Sequence, residues 1–207
     1  MQPIAEMLED LACVIRFEQR GCGRSDLPGP YDVETCISDM EAIRESYGLN
    51  RWVVGGHSWG ANLAIAYSIA HANRVMGIIG ISGGVIHKDR AWSNQYTRLK
   101  DQETVPDFLY PPNLEVNEQV NESWGGFVRK PDLLRMIADI SIPAILICGE
   151  RDVRPSWPIQ QLATLLPRGK FVSIQGAEHA IWLLRPNELA NCLRDFIALI
   201  AKETAHL

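Results

Sequence analysis

A chain of 207 residues, 46% hydrophobic and 22% charged, has ordinary globular composition, with room for one sizeable core and a small insertion. Its formal net charge of -5 comes with no basic cluster and no acidic run, which speaks against a nucleic-acid partner and against a disordered tail. No apolar run approaches membrane-span length and the first ten residues lack the charged and apolar regions of a signal peptide; the five cysteines (Cys13, Cys22, Cys36, Cys148, Cys192) form no C-x-x-C and read as reduced, which favours a cytoplasmic protein.

Ile4, Met7, Leu8 and Leu11, behind Pro3, predict an amphipathic helix starting almost at residue 1. Ala12 to Phe17 reads as a buried strand, and Glu18 to Pro30 as a turn-rich loop. Asp32 is placed to cap a helix whose apolar face is Val33, Ile37, Met40 and Ile43 and which Gly48 ends. A strand over Arg51 to Gly55 and a helix from Ala61 to about His71 follow, then a strand over Val75 to Ile81 closed by Ser82-Gly83-Gly84. From Val85 to about Lys130 the periodicity weakens while prolines and aromatics (Trp92, Tyr96, Phe108, Tyr110, Trp124, Phe127) accumulate; the segment reads as an insertion rather than sheet scaffold. A short helix from Pro131 to about Asp139, a strand over Pro143 to Cys148, a helix over Trp157 to Leu166, a strand over Lys170 to Ile174 and a closing helix from Pro186 complete the chain. Five buried strands alternating with helices predict an α/β fold: a mostly parallel sheet with helices on both faces.

Between the second strand and its helix, Gly56-His57-Ser58-Trp59-Gly60 fits G-x-S-x-G, a tight turn that holds a serine hydroxyl clear of the sheet edge. Both glycines are expected at places where the turn is too tight for side chains. A passive serine in a glycine-rich turn fits the same letters, but the strand before it and the helix after it favour a nucleophile, with the backbone N–H of Trp59 as an oxyanion donor. Sites on parallel sheets lie at the carboxyl ends of strands, and Ser58, Asp152 and His179 each sit just past one. A serine needs a base, and the base needs an acid to fix its tautomer; His179 and Asp152 supply them, in the chain order Ser, Asp, His. Asp152 also makes a good turn aspartate. Of the other histidines, His57 reads as packing or pocket lining, His71 as a helix C-terminal residue, and His87 and His206 as lying in an insertion and a tail. Cys22, between Arg20 and Arg24, is a weaker nucleophile candidate. No metal-ligand spacing appears and no G-x-G-x-x-G follows a strand in the right place, so neither a metal nor a cofactor is expected.

Gln19-Arg20-Gly21-Cys22-Gly23-Arg24-Ser25, Gly55 to Gly60, Gly149-Glu150-Arg151-Asp152 and Gly176-Ala177-Glu178-His179 together resemble the α/β-hydrolases, in particular their proline iminopeptidase-like branch. The resemblance implies a serine hydrolase acting through an acyl-enzyme, with residues 1–84 and 131–207 as core and 85–130 as a cap. Its substrate is then a small ester, amide, lactone or short peptide, and oligomeric state is not implied.

The sequence departs from that family in three places. Glu18 replaces the aspartate before Gln-Arg-Gly. The Trp-Glu pair that serves the substrate amine is absent, since Gly125 follows Trp124, although Glu115, Glu118 and Glu122 lie nearby. The family's first three strands and His-Gly-Gly loop, which carries the second oxyanion donor, would precede Met1. The simplest account is that Met1 is internal to a longer protein or that the chain is a truncated copy. Without the third strand, the segments 12–17 and 51–55 must pair directly or leave exposed edges. The alternatives to an esterase or peptidase are a non-catalytic remnant that binds a small molecule or partner, and a cofactor-free perhydrolase.

Overall fold

The computed structural model describes residues 1–205; His206 lies outside the described residues. Four strands form one parallel sheet in the order β1 (Trp52–His57), β2 (Val75–Ile81), β3 (Ala144–Gly149), β4 (Gly169–Ile174). The parallel connections run through helices: α3 (Trp59–Ala70) joins β1 to β2, and α7 (Trp157–Leu165) joins β3 to β4. The other helices are α1 (Gln2–Glu6), α2 (Val33–Ser46), α4 (Arg90–Leu99), α5 (Leu114–Phe127), α6 (Leu133–Ala138), α8 (Ile181–Leu184) and α9 (Pro186–Thr204). Strand side chains alternate between two cores. Ile78, Leu146 and Cys148 join α2, α3, α5, α6 and α7 on one face; Ile79, Ile81, Ile145 and Ile147 meet α8 and α9 and the N-terminal Leu8 on the other. Both faces are therefore covered, as a parallel sheet requires.

The expected strand over Ala12 to Phe17 is not one. The segment is irregular and pairs with no strand, and Phe17 is exposed. Between it and β1 lies a cavity of about 530 Å3, lined by Leu8, Val14, Ile15, Val53, Ile79 and Leu193 among others. An apolar run is insufficient to make a strand without a neighbour within hydrogen-bonding reach, and here β1 stays an edge. The N-terminal helix is also shorter than its pattern, ending at Glu6 and continuing as turns through Ala12.

Segment 85–130 contains more order than its sequence announced. Val116, Val120, Trp124 and Phe127 form a buried stripe along α5 at three- and four-residue spacing, begun by Asn113, whose side chain accepts from Glu115 N–H and Val116 N–H. That helix docks on α2, where the Ser123 hydroxyl accepts from Val33 N–H at 3.0 Å.

Candidate active site

Ser58 sits between β1 and α3 at φ 54°, ψ -114°, a backbone region that costs a non-glycine residue roughly 1–3 kcal/mol. The turn is held on both sides. Ser58 N–H donates to the Ile81 carbonyl of β2 at 2.8 Å, and the Ser58 carbonyl accepts from Ala61 N–H at 3.1 Å. A side chain at Gly56 would put its Cβ 2.4 Å from the Gly60 carbonyl carbon, so that glycine is sterically required. Gly60 corrects the expectation for its position: a Cβ there meets nothing within 4 Å, and its backbone is not left-handed. The turn is tight at the first glycine only.

Asp152 and His179 are brought together by backbone bonds between the turn after β3 and the loop after β4. Arg151 N–H donates to the Ala177 carbonyl at 2.8 Å, Glu150 N–H to Ile174 at 3.0 Å, and Gly176 N–H to the Glu150 carboxylate at 2.9 Å. Gly149 permits this approach: a Cβ there would lie 2.4 Å from the Glu178 carbonyl oxygen. The result is a hydrogen bond of 2.6 Å from His179 Nδ1 to Asp152 Oδ2, with both side chains nearly out of solvent (8% and 5% exposed). Burial pushes the Asp152 carboxyl up, but the His179 bond and charge, with Arg154 beside it, outweigh burial and hold it below its ordinary value. It is a carboxylate at neutral pH. The Ser58 hydroxyl makes no hydrogen bond to His179 in this conformation, whereas its neighbour His57 touches the His179 loop directly. Unliganded sites often show this bond long or absent.

The family model described as "alpha/beta hydrolase fold" matches residues 2–126, more than half of the chain. The chain belongs to that family. A proline iminopeptidase of Heyndrickxia coagulans is 22% identical over a gapped alignment of 232 residues that spans 89% of this chain and 81% of that protein. The proline iminopeptidase of Neisseria gonorrhoeae is 37% identical over 73 residues, 34% of this chain and 24% of its own length. Among solved structures, a thermophilic esterase from Thermogutta terrifontis superposes with a TM-score of 0.73 at 21% identity, covering 96% of this chain and 84% of that one. At that identity the likeness is one of fold.

In this α/β hydrolase two residues grip the His179 backbone: Ser82, for which the sequence suggested no role at the site, and His57, read there as packing or pocket lining. The His179 carbonyl accepts from the Ser82 hydroxyl at 2.8 Å and from His57 Nε2 at 3.1 Å. The His57 ring is wedged between those of His179 and Trp182, with centroids 4.5 and 4.7 Å away. Burial, with His179 close by, pushes its pKa down to about 3, so it is a neutral donor at working pH. His57 therefore packs, as its place inside the motif suggested. Ser82 looked like a turn residue; only its partner, 97 positions along the chain, gives it a role.

Trp59 opens α3, so its backbone N–H has no carbonyl one turn back in the helix. Its indole donates to Gln19 Oε1 at 2.8 Å and meets Trp124 edge-on at 5.8 Å, which ties the 18–30 loop and α5 to the elbow. Arg20 fixes that loop by a two-pronged pair with Asp39 of α2 at 2.7 and 2.5 Å. Glu18, the departure from the family, turns its carboxylate onto Arg24 N–H at 2.7 Å and closes the same loop. Burial and Glu18 push the Cys22 thiol up, opposite to what Arg20 and Arg24 suggested, so Cys22 is no thiolate. His71 caps the C-terminus of α3, and His87 packs on Trp157. Among the described residues no group of three or more His, Cys, Asp or Glu side chains gathers as a metal site. No helix of the described residues is long and apolar enough to cross a membrane.

Proposed function

We propose that this α/β hydrolase is a serine hydrolase that cleaves an ester or amide bond of a small molecule or short peptide through an acyl-enzyme on Ser58. The observation that carries the reading is the 2.6 Å His179–Asp152 pair, assembled from two separate loops, together with a serine held at φ 54° in the turn after β1. His179 Nε2 takes the Ser58 proton as the hydroxyl oxygen attacks the carbonyl carbon. The oxyanion that forms is met by the N–H of Trp59, at the positive end of α3. His179 then returns the proton to the leaving group, and water repeats the sequence on the acyl-enzyme. Asp152 stays ionised, fixing the tautomer and stabilising the imidazolium.

Segment 85–130 serves as a cap over this rim. Its acids favour a neutral ester or amide over a free peptide amine. Glu115, Glu118 and Glu122 lie on the exposed side of α5, away from its buried stripe, and Glu103 is engaged by Arg154 at 2.9 Å. Five unpaired cysteines fit a reducing, cytoplasmic setting.

A second reading, a non-catalytic member that binds without turnover, is favoured by the missing Ser58–His179 bond. Intact mass after treatment with a fluorophosphonate separates the two. One adduct, absent from Ser58→Ala, is expected. No adduct on folded protein would refute catalysis and leave the binding reading.

A further inference from the structure

Asp152 uses its two carboxylate oxygens differently. Oδ2 faces His179. Oδ1 accepts from Arg154 N–H at 2.9 Å and lies 3.3 Å from Arg154 Nη1. The same Nη1 donates to Glu103 Oε1 at 2.9 Å, and both of these side chains are largely buried (21% and 15% exposed). The guanidinium also lies over the Tyr96 ring of α4, 4.7 Å from its centroid. One turn earlier on that helix, the Trp92 indole donates to the Pro155 carbonyl at 2.9 Å. The stretch from α4 to Glu103 thus grips the loop carrying Asp152 by an ion pair, an aromatic face and a hydrogen bond.

We infer that Arg154 is a positioning residue for the Asp152–His179 pair, and that Glu103 of the cap segment sets how much of its charge that pair feels. This inference rests on the serine-hydrolase reading. The physical argument has two parts. A carboxylate held at one oxygen by a planar donor cannot rotate away from His179. A guanidinium beside Asp152 also offsets the negative charge that stabilises the imidazolium, and Glu103 counters that offset. The cap is thereby coupled to the strength of the base, not only to access.

Two other titratable groups beside the pair keep one protonation state across the working range. His57 of β1 is neutral, with a pKa of about 3, and the Cys148 thiol of β3 is pushed up to about 12 by burial and Asp152. Tyr96 faces the guanidinium from α4, and Arg151 and Glu178 pair with each other at 3.8 Å on the flanking loops.

The test is the rate of Ser58 phosphonylation by a fluorophosphonate across pH 5–9, with thermal melts of each variant. Glu103→Gln leaves the guanidinium unbalanced, so the acid limb of the profile moves to lower pH by roughly half a unit or more. Arg154→Ala moves it the other way and slows labelling about 10- to 100-fold through loss of orientation. Arg154→Lys keeps the charge, so its limb stays near wild type while the rate falls less. A purely structural role would lower melting temperatures and rates without moving the limb in opposite directions. Limbs that coincide in all four proteins, with Ser58 labelled in each, would overturn the inference and leave the hydrolase reading intact. Failure of wild type to label at Ser58 would overturn both.

Discussion

The two glycines of the elbow motif look equivalent in sequence, yet the structure predicts opposite effects for alanine. At Gly56 the added methyl would sit 2.4 to 2.6 Å from the Gly60 carbonyl carbon, Cα and oxygen, which are backbone atoms in the first turn of α3. No rotamer relieves that contact; either β1 or the start of α3 must move. Overpacking of this kind costs about 1–3 kcal/mol. A chain of this size loses about 2–4 °C of melting temperature per kcal/mol, so Gly56→Ala should melt roughly 2–12 °C lower. It should also slow labelling of Ser58, because the serine rides on the displaced turn. At Gly60 the methyl meets nothing within 4 Å, inside a helix where alanine is favoured over glycine by up to about 1 kcal/mol. Gly60→Ala should therefore melt at or slightly above wild type. Thermal unfolding followed by circular dichroism reads both variants in one experiment. Equal losses at the two positions would refute the reasoning, because they would mean that the motif's symmetry, not the steric contact, governs the turn.

Two further predictions concern buried polar groups. Tyr67 is fully buried, and its hydroxyl donates at 2.6 Å to Glu41, whose carboxyl is held down at about 2 mainly by its Arg44 bonds. Tyr67→Phe removes a hydrogen bond to a charged acceptor and should cost about 1.5–3 kcal/mol, read from urea midpoints; an unchanged midpoint would show that the bond adds no net stability. The lowered carboxyl of Asp152 adds stability that is fully present above the ordinary carboxylate pKa of about 4 and is lost as pH falls through the lowered value. The stability gap between wild type and Asp152→Asn should shrink as pH falls below about 4, where the carboxylate itself takes up its proton. A gap that widened below about pH 4 would contradict the sign.

The parts of the fold legible in sequence were those in which local pattern and tertiary environment agree. β2 and β3 are continuous apolar runs because both faces of the sheet are covered, and α9 shows its stripe of Leu189, Leu193, Phe196 and Ile200 plainly. α5 was harder to see because Gly125 and Gly126 fall inside it, and glycine lowers local helix propensity even where four buried side chains hold the helix. The meeting of Asp152 and His179 was legible because each follows a strand, and topology sends such positions to one rim. The grip of Ser82 and His57 on the His179 carbonyl, and the Glu103–Arg154 pair, were not. These contacts span 97, 122 and 51 positions and depend on how loops lie, which no periodicity records.

The segment 12–17 shows where pattern and environment part, and it carries the last prediction. Its apolar run promised a strand, but a strand exists only where a neighbour takes its hydrogen bonds. β1 has β2 on one side, and on the other the cavity of about 530 Å3 that separates it from this segment. In a parallel strand, roughly half of the backbone groups point to each side, so about half of those of β1 face the cavity. Left dry and unpaired, each would cost about 1–3 kcal/mol. Water must therefore reach them, although the cavity is lined largely by apolar side chains such as Ile79 and Leu193. Amide hydrogen exchange resolved by residue should accordingly split β1, with one set of amides as protected as those of β2 and the alternate set exchanging faster than any in β3, which is flanked on both sides. Uniform protection along Trp52 to His57, equal to that of β3, would mean that another strand completes this edge in solution. The unpaired β1 edge would then not represent the protein's resting state.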